Sequence, residues 1–173
     1  MVIVIKLVIS ASIVGISTYI GTYKARKLKE REYVLRDTIT FLKLVENEIK
    51  YMMNILPNAY EIARQKLNTE LKIKIGDIVI DMLEMRNIEL VENSIEKNIA
   101  EISCLEDYDK NVIISTLKNL GRSDVEGQIN IIENGITTLE NQVTEANEVK
   151  LTNSKLYRTI GIIAGLMLVI IFI

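Results

Sequence analysis

Hydrophobic positions along the chain change regime twice. An apolar run opens it, a second closes it, and between them apolar residues recur at steps of three and four. The first run extends from Met1 to Tyr23 and is interrupted only by Lys6, which meets the roughly 20 residues a helix needs to cross a bilayer. Lys6 is close enough to the end to snorkel toward the headgroups, and Tyr19 and Tyr23 suit the opposite interface. The second run, Ile160 to Ile173, holds fourteen residues with no polar face. At 1.5 Å per residue it spans about 21 Å, short of the ~30 Å hydrocarbon core. Leu156 and Tyr157 extend it, Arg158 can snorkel, and the bilayer can thin locally. The pattern predicts transmembrane helices over 1–23 and 159–173, flanking a domain over 24–158. A cleavable signal peptide competes for the first run, but Lys24, Arg26, Lys27, Lys29 and Arg31 follow at once without a small-x-small cleavage site. A buried terminal helix competes for the second, against the missing polar face.

The middle reads as helices throughout. Leu28, Leu35, Leu42, Ile49 and Leu56 recur every seven residues, with Val45 and Met52 between them. This predicts a first helix over about 24–56, continuous with the anchor, whose seam packs as a bundle core or a coiled coil. Phe41, Leu44 and Met53 widen the stripe and favour the bundle. Pro57 marks a break and suits the first turn of a short helix to about Leu67. Asn68, Thr69 and Glu70 read as a linker and cap. A third helix is expected over 70–85 with Ile73, Ile78, Val79, Met82 and Leu83 inward, although the β-branched stretch 73–80 mimics a strand. A fourth is expected over 90–103 and a fifth over 106–120. Gly121 sits where helices commonly end in the left-handed conformation. Ser123 with Glu126 reads as a capping box opening the last helix. Ile129, Ile132, Ile136, Leu139, Val143 and Ala146 then carry it as one rod of about fifty residues into the terminal segment. Gly127 and Gly135 would each weaken that rod by up to about 1 kcal/mol unless they permit close packing. The fold class is therefore all-α: a cytoplasmic bundle of about six helices, the first and last long and continuing into the membrane.

Charge supplies the sidedness. Five basic residues follow the first segment, Lys150, Lys155 and Arg158 precede the second, and none follows it. The positive-inside rule puts 24–158 in the cytoplasm and both termini outside. A net charge of −2 with no unopposed basic stripe argues against nucleic acid as a partner. The single cysteine, Cys104, allows no intrachain disulfide and fits a reducing compartment.

Candidate chemistry is sparse. The chain has no His, so the near-neutral proton shuttle and the commonest zinc ligand are both missing. Cys104 has no base to activate it and reads as a small buried apolar residue. The glycines from Gly121 to Gly127 lack the lysine and preceding strand of a phosphate loop. Glu46 with Glu48, and Asp107 with Asp109, read as solvated faces or helix-start charges. No EF-hand spacing is present. No catalytic residue, metal site or cofactor is expected, and the chain is not expected to be an enzyme.

Two stretches carry a resemblance. Leu35 to Tyr51, with Glu48-Ile49-Lys50-Tyr51 at its end and Pro57 shortly after, resembles the opening of the stage III sporulation protein AB family. So does Leu120 to Gln128, with Gly121, Asp124 and Gly127, leading into a long helix and terminal membrane segment. The likeness covers nearly the whole chain, although the family often carries a Trp where Ile95 stands. It implies an endospore-forming bacterium and the channel apparatus linking mother cell and forespore, on the mother-cell side of the outer forespore membrane. It also implies a cytoplasmic domain similar to the helical domains of F-type platform proteins in type II secretion and type IV pilus machines. Such platforms engage a cytoplasmic secretion-type ATPase and other channel subunits, and self-association stays open. By carry-over, Glu48, Tyr51, Gly121, Asp124, Gly127 and Gln128 are candidate partner-binding positions. Each also has a structural reading: Gly121 ends a helix, Asp124 stabilises the next start, and Tyr51 packs. Two other functions stand beside the platform: an enzyme of lipids or cell wall, and a membrane-tethered coiled-coil signalling or scaffold protein unrelated to secretion.

Overall fold

The computed structural model describes the backbone of residues 2–84 and 87–172 and the side chains of 9–84 and 87–170. The expectations for Met1, Lys6, Met85 and Ile173 lie outside the residues so described. Six helices follow in chain order: α1 Val2–Lys50, α2 Leu56–Arg64, α3 Leu71–Glu84, α4 Ile88–Ala100, α5 Asp107–Asn119 and α6 Val125–Phe172. Among the described residues there is no strand. The β-branched stretch in α3 is helical because its apolar residues also fall at i, i+4 and i+7. Leu71, Ile75, Ile78 and Val79 turn inward, a helical stripe rather than an alternating one. Ile73 and Leu83, expected inside, are 66% and 67% exposed, because the buried face is centred on Ile75.

The chain divides into two units, one made of residues up to Glu30 and from Glu145 onward, the other of Arg31–Thr144. In the Arg31–Thr144 unit, α2 packs on α3, α3 on α4 and α4 on α5. The α1 seam supplies Leu35, Leu42, Val45 and Ile49, all buried, with Phe41 beside them. Each such side chain contributes about 1.5–3 kcal/mol on burial. Phe41 meets the Tyr60 ring of α2 edge-on at 5.0 Å between centroids. The α2–α3 linker is held from α1: Asp37 Oδ2 accepts from the backbone N–H of both Asn68 and Thr69 at 2.8 Å. Asn87 caps α4 by accepting from Glu89 N, which starts that helix two residues before the expected Leu90. Between α5 and α6, a Cβ added at Gly135 would sit 2.7 Å from Thr116 Oγ1. Glycine there permits the close approach that offsets its low helix propensity.

Two charged groups, one counted with the basic residues after the first segment and one with the solvated or helix-start charges, lie inside. Arg31 is 2% exposed and Asp109 is fully buried. The guanidinium grips the carboxylate with two bonds, Nε to Oδ2 at 2.7 Å and Nη2 to Oδ1 at 3.0 Å. Glu106 Oε1 accepts from Nη1 at 2.8 Å and Gln142 Oε1 from Nη2 at 3.3 Å. Asp109 also accepts from the Glu106 backbone N–H, closing the start of α5. Asp109 is thus the helix-start charge expected, at the third position of α5, but it is a core residue rather than a solvated one, because a bidentate arginine replaces the water it loses. Cys104 is buried, as its small apolar character implied, with Sγ 3.7 Å from Glu70 Oε1.

In the other unit the two long helices run antiparallel and touch backbone to backbone. A Cβ at Gly21 would meet Tyr157 O at 2.5 Å, one at Gly161 would meet Ser17 O at 2.8 Å, and one at Gly165 would meet Val14 Cα at 3.0 Å. Gly161 and Gly165 are four apart on α6 and face Ser17 and Gly21, four apart on α1. Small residues at that spacing let helices approach where larger side chains would hold them apart. Around this seam most apolar side chains are turned outward, Ile16, Ile20, Leu166, Met167 and Ile170 among them. Within α6 lies a window long and apolar enough to cross a membrane.

Candidate functional site

The six positions singled out in the sequence gather at two helix junctions of the Arg31–Thr144 unit. Glu48 lies in the last turn of α1 and Tyr51 directly after it. The helix stops at Lys50 rather than Leu56 because Asn54 folds back on Glu48. Asn54 N donates to the Glu48 carbonyl at 3.1 Å and Nδ2 to Oε2 at 2.7 Å. Between them Met53 adopts φ +50°, a left-handed conformation that costs a side-chain-bearing residue about 1–2 kcal/mol. Tyr51, Met52 and Ile55 are about two-thirds exposed and Met53 is 86% exposed. Met52, expected in the seam, and Tyr51, expected to pack, stand in solvent because the helical register ends before them.

Gly121, Asp124, Gly127 and Gln128 build the α5–α6 turn. Gly121 has φ +82°, the conformation glycine adopts without strain. Its N–H donates to Gln128 Oε1 at 3.2 Å, while Gln128 Nε2 donates to the Ser123 carbonyl at 3.1 Å. One side chain therefore clamps the turn from both sides. Asp124 Oδ1 accepts from Gly127 N at 2.9 Å, so Asp124, and not the Ser123–Glu126 pair expected, caps α6. A Cβ at Gly127 would lie 2.7 Å from Ser123 Oγ, which explains the glycine.

The start of α2 and the α5–α6 turn line one pocket of about 270 Å³. Leu56 and Pro57 open α2, Leu120 and Gly121 belong to the turn, and Ile88 and Ile95 come from α4. Charges frame it: Glu92 pairs with Arg122 and, at 3.7 Å, with Lys118. Of the six candidates only Gly121 lines the pocket. Glu48, Asp124, Gly127 and Gln128 hold the two turns in shape, and Tyr51 is displayed beside Met52 and Met53. Of the apolar lining, Met82 was read as part of the inward stripe of α3, whereas Ile88 and Val91 were marked by no motif.

Other titrating groups serve the scaffold. The Arg64 hydrogen bond holds the Glu61 carboxyl below its ordinary value, and Lys74 does the same for Glu101. Burial pushes the Tyr60 phenol far up, and its hydroxyl has no hydrogen-bond partner among the described residues. Among the described residues no group of three or more Cys, Asp or Glu side chains is placed to hold a metal ion.

The family model described as stage III sporulation protein AB matches residues 6–173, nearly the whole chain. The chain belongs to the stage III sporulation protein AB family. No curated protein and no solved structure matches it. Membership in the stage III sporulation protein AB family makes this a sporulation protein. Ile95, standing where the resemblance leads one to expect Trp, is a buried lining residue of the pocket.

Proposed function

We propose that this stage III sporulation protein AB family member is a membrane-anchored assembly platform of the channel between mother cell and forespore, docking a cytoplasmic secretion-type ATPase. In this reading residues 1–23 and 159–173 cross the membrane on the mother-cell side, 24–158 face the cytoplasm, and both termini lie outside. The coupling is by contact with the ATPase and with other channel subunits, without bond chemistry in this chain.

One observation carries the reading. The α1–α2 turn spends backbone strain at Met53 on displaying Tyr51, Met52, Met53 and Ile55 to solvent. A strained, exposed apolar turn is a stability liability that a monomer has no use for, and such outliers concentrate at functional contacts. Methionine suits a docking surface because it repacks against different shapes.

The test is capture of the sporulation ATPase by the detergent-solubilised full chain. Met53→Asp keeps the fold, since aspartate tolerates the left-handed region, and Ile88→Asp lies at the pocket edge. Each is expected to weaken capture about tenfold, the cost of losing one interface anchor. Undiminished capture by the pair combined would refute docking at this face, and no capture by the parent would refute the platform.

A further inference from the structure

A second cavity, of about 790 Å³, lies between α1 and α6 in the unit formed by the two chain ends. Arg26 and Lys29 line it from α1, and Lys150, Lys155 and Arg158 from α6. Among the described residues, its lining holds no carboxylate. We infer that this cavity binds the headgroup of an anionic phospholipid.

Three features support the assignment. The cations come from two facing helices and converge on one space, whereas basic residues that only set topology need no cavity. The cavity also adjoins the apolar ends. Arg158 precedes the terminal apolar run by two residues, about 3 Å along the helix. Gly21, which touches Gly161, directly precedes Thr22 of the lining. A ligand seated there has its charge among the cations and its chains beside the apolar helices, the arrangement of basic pockets that hold anionic headgroups. Finally, the volume is that of a small-molecule site and far exceeds a lone phosphate. Leu151, 69% exposed at the edge of the cavity, offers apolar surface to glycerol or the first acyl carbons. The inference rests on the reading that the two apolar segments lie in a bilayer.

Native mass spectrometry of the full chain in detergent tests it, with dioleoyl phosphatidylglycerol, dioleoyl phosphatidylcholine and inorganic phosphate as probes. The parent is expected to bind phosphatidylglycerol about tenfold or more tightly than phosphatidylcholine. The variant R26Q/K155Q/R158Q is expected to bring the two within about twofold, and the charge-preserving R26K/R158K to keep the preference. Removing the same charge elsewhere, as K66Q/K72Q/K110Q, is expected to leave it intact. Equal preference in the parent and the cleft variant overturns the site, as does equal loss in the distant variant. Displacement of the lipid by excess inorganic phosphate would show that the cavity takes the free anion instead. Alkaline extraction of membranes separates the two readings. A chain released without detergent refutes the bilayer reading and this site with it, whereas a retained chain without lipid preference refutes the site alone.

Discussion

At the scale of single residues, Arg31 and Asp109 form the most exacting contact in the molecule. Both are stripped of water, and each satisfies the other through two hydrogen bonds. Removing Arg31 leaves the buried Asp109 carboxylate without its cation, which costs about 3–5 kcal/mol, whereas replacing both with apolar residues of similar volume is often neutral. Arg31→Met is therefore expected to lower the unfolding midpoint sharply, and Arg31→Met with Asp109→Leu to recover most of the loss, read by thermal circular dichroism. Tyr60 gives the opposite sign. Its ring packs against Phe41, but its hydroxyl is buried without a partner among the described residues. Tyr60→Phe keeps the ring and removes an unsatisfied group, so the same measurement is expected to show no loss and up to about 1 kcal/mol of gain.

At the scale of elements, the start of α6 separates two capping arguments. Asp124→Ala is expected to cost about 1 kcal/mol, the usual value of a lost N-cap, while Ser123→Ala is expected to stay near the parent in denaturant unfolding. Equal losses would restore Ser123 as the cap. The helices themselves were readable from apolar spacing, because steps of three and four survive in every one of them. Their ends were less readable. The heptad count carried on through Met52 because nothing in residue type announces that Asn54 folds back onto Glu48. The burial of Asp109 was not legible because its partner lies 78 residues earlier, beyond any local pattern. Of the candidate site, the α5–α6 turn was legible through Gly121 and Asp124. The pocket was not, since it is assembled from four separate segments.

At the scale of the whole molecule, the unit built from the two chain ends makes its own claim. Gly21 and Gly161 leave no room for side chains between α1 and α6. Val14→Cys with Gly165→Cys is expected to crosslink readily under mild oxidation, since a Cβ at 165 reaches Val14 Cα within 3.0 Å, and adding Gly21→Leu is expected to abolish the crosslink. The thermal transition of the Arg31–Thr144 unit is expected to persist in that triple variant, because its core residues lie elsewhere. Loss of that transition would show that the two units fold together.

The Arg31–Asp109 bond also sets a timetable for biosynthesis. At about 5–20 residues per second, a ribosome needs about 4–16 s to travel the 78 residues that separate donor from acceptor. During that interval Arg31 lacks the Asp109 carboxylate it enters the core with and stays hydrated, so the part of α1 around Arg31 cannot adopt its final packing. Translation must reach α5 before the earliest part of the bundle can close.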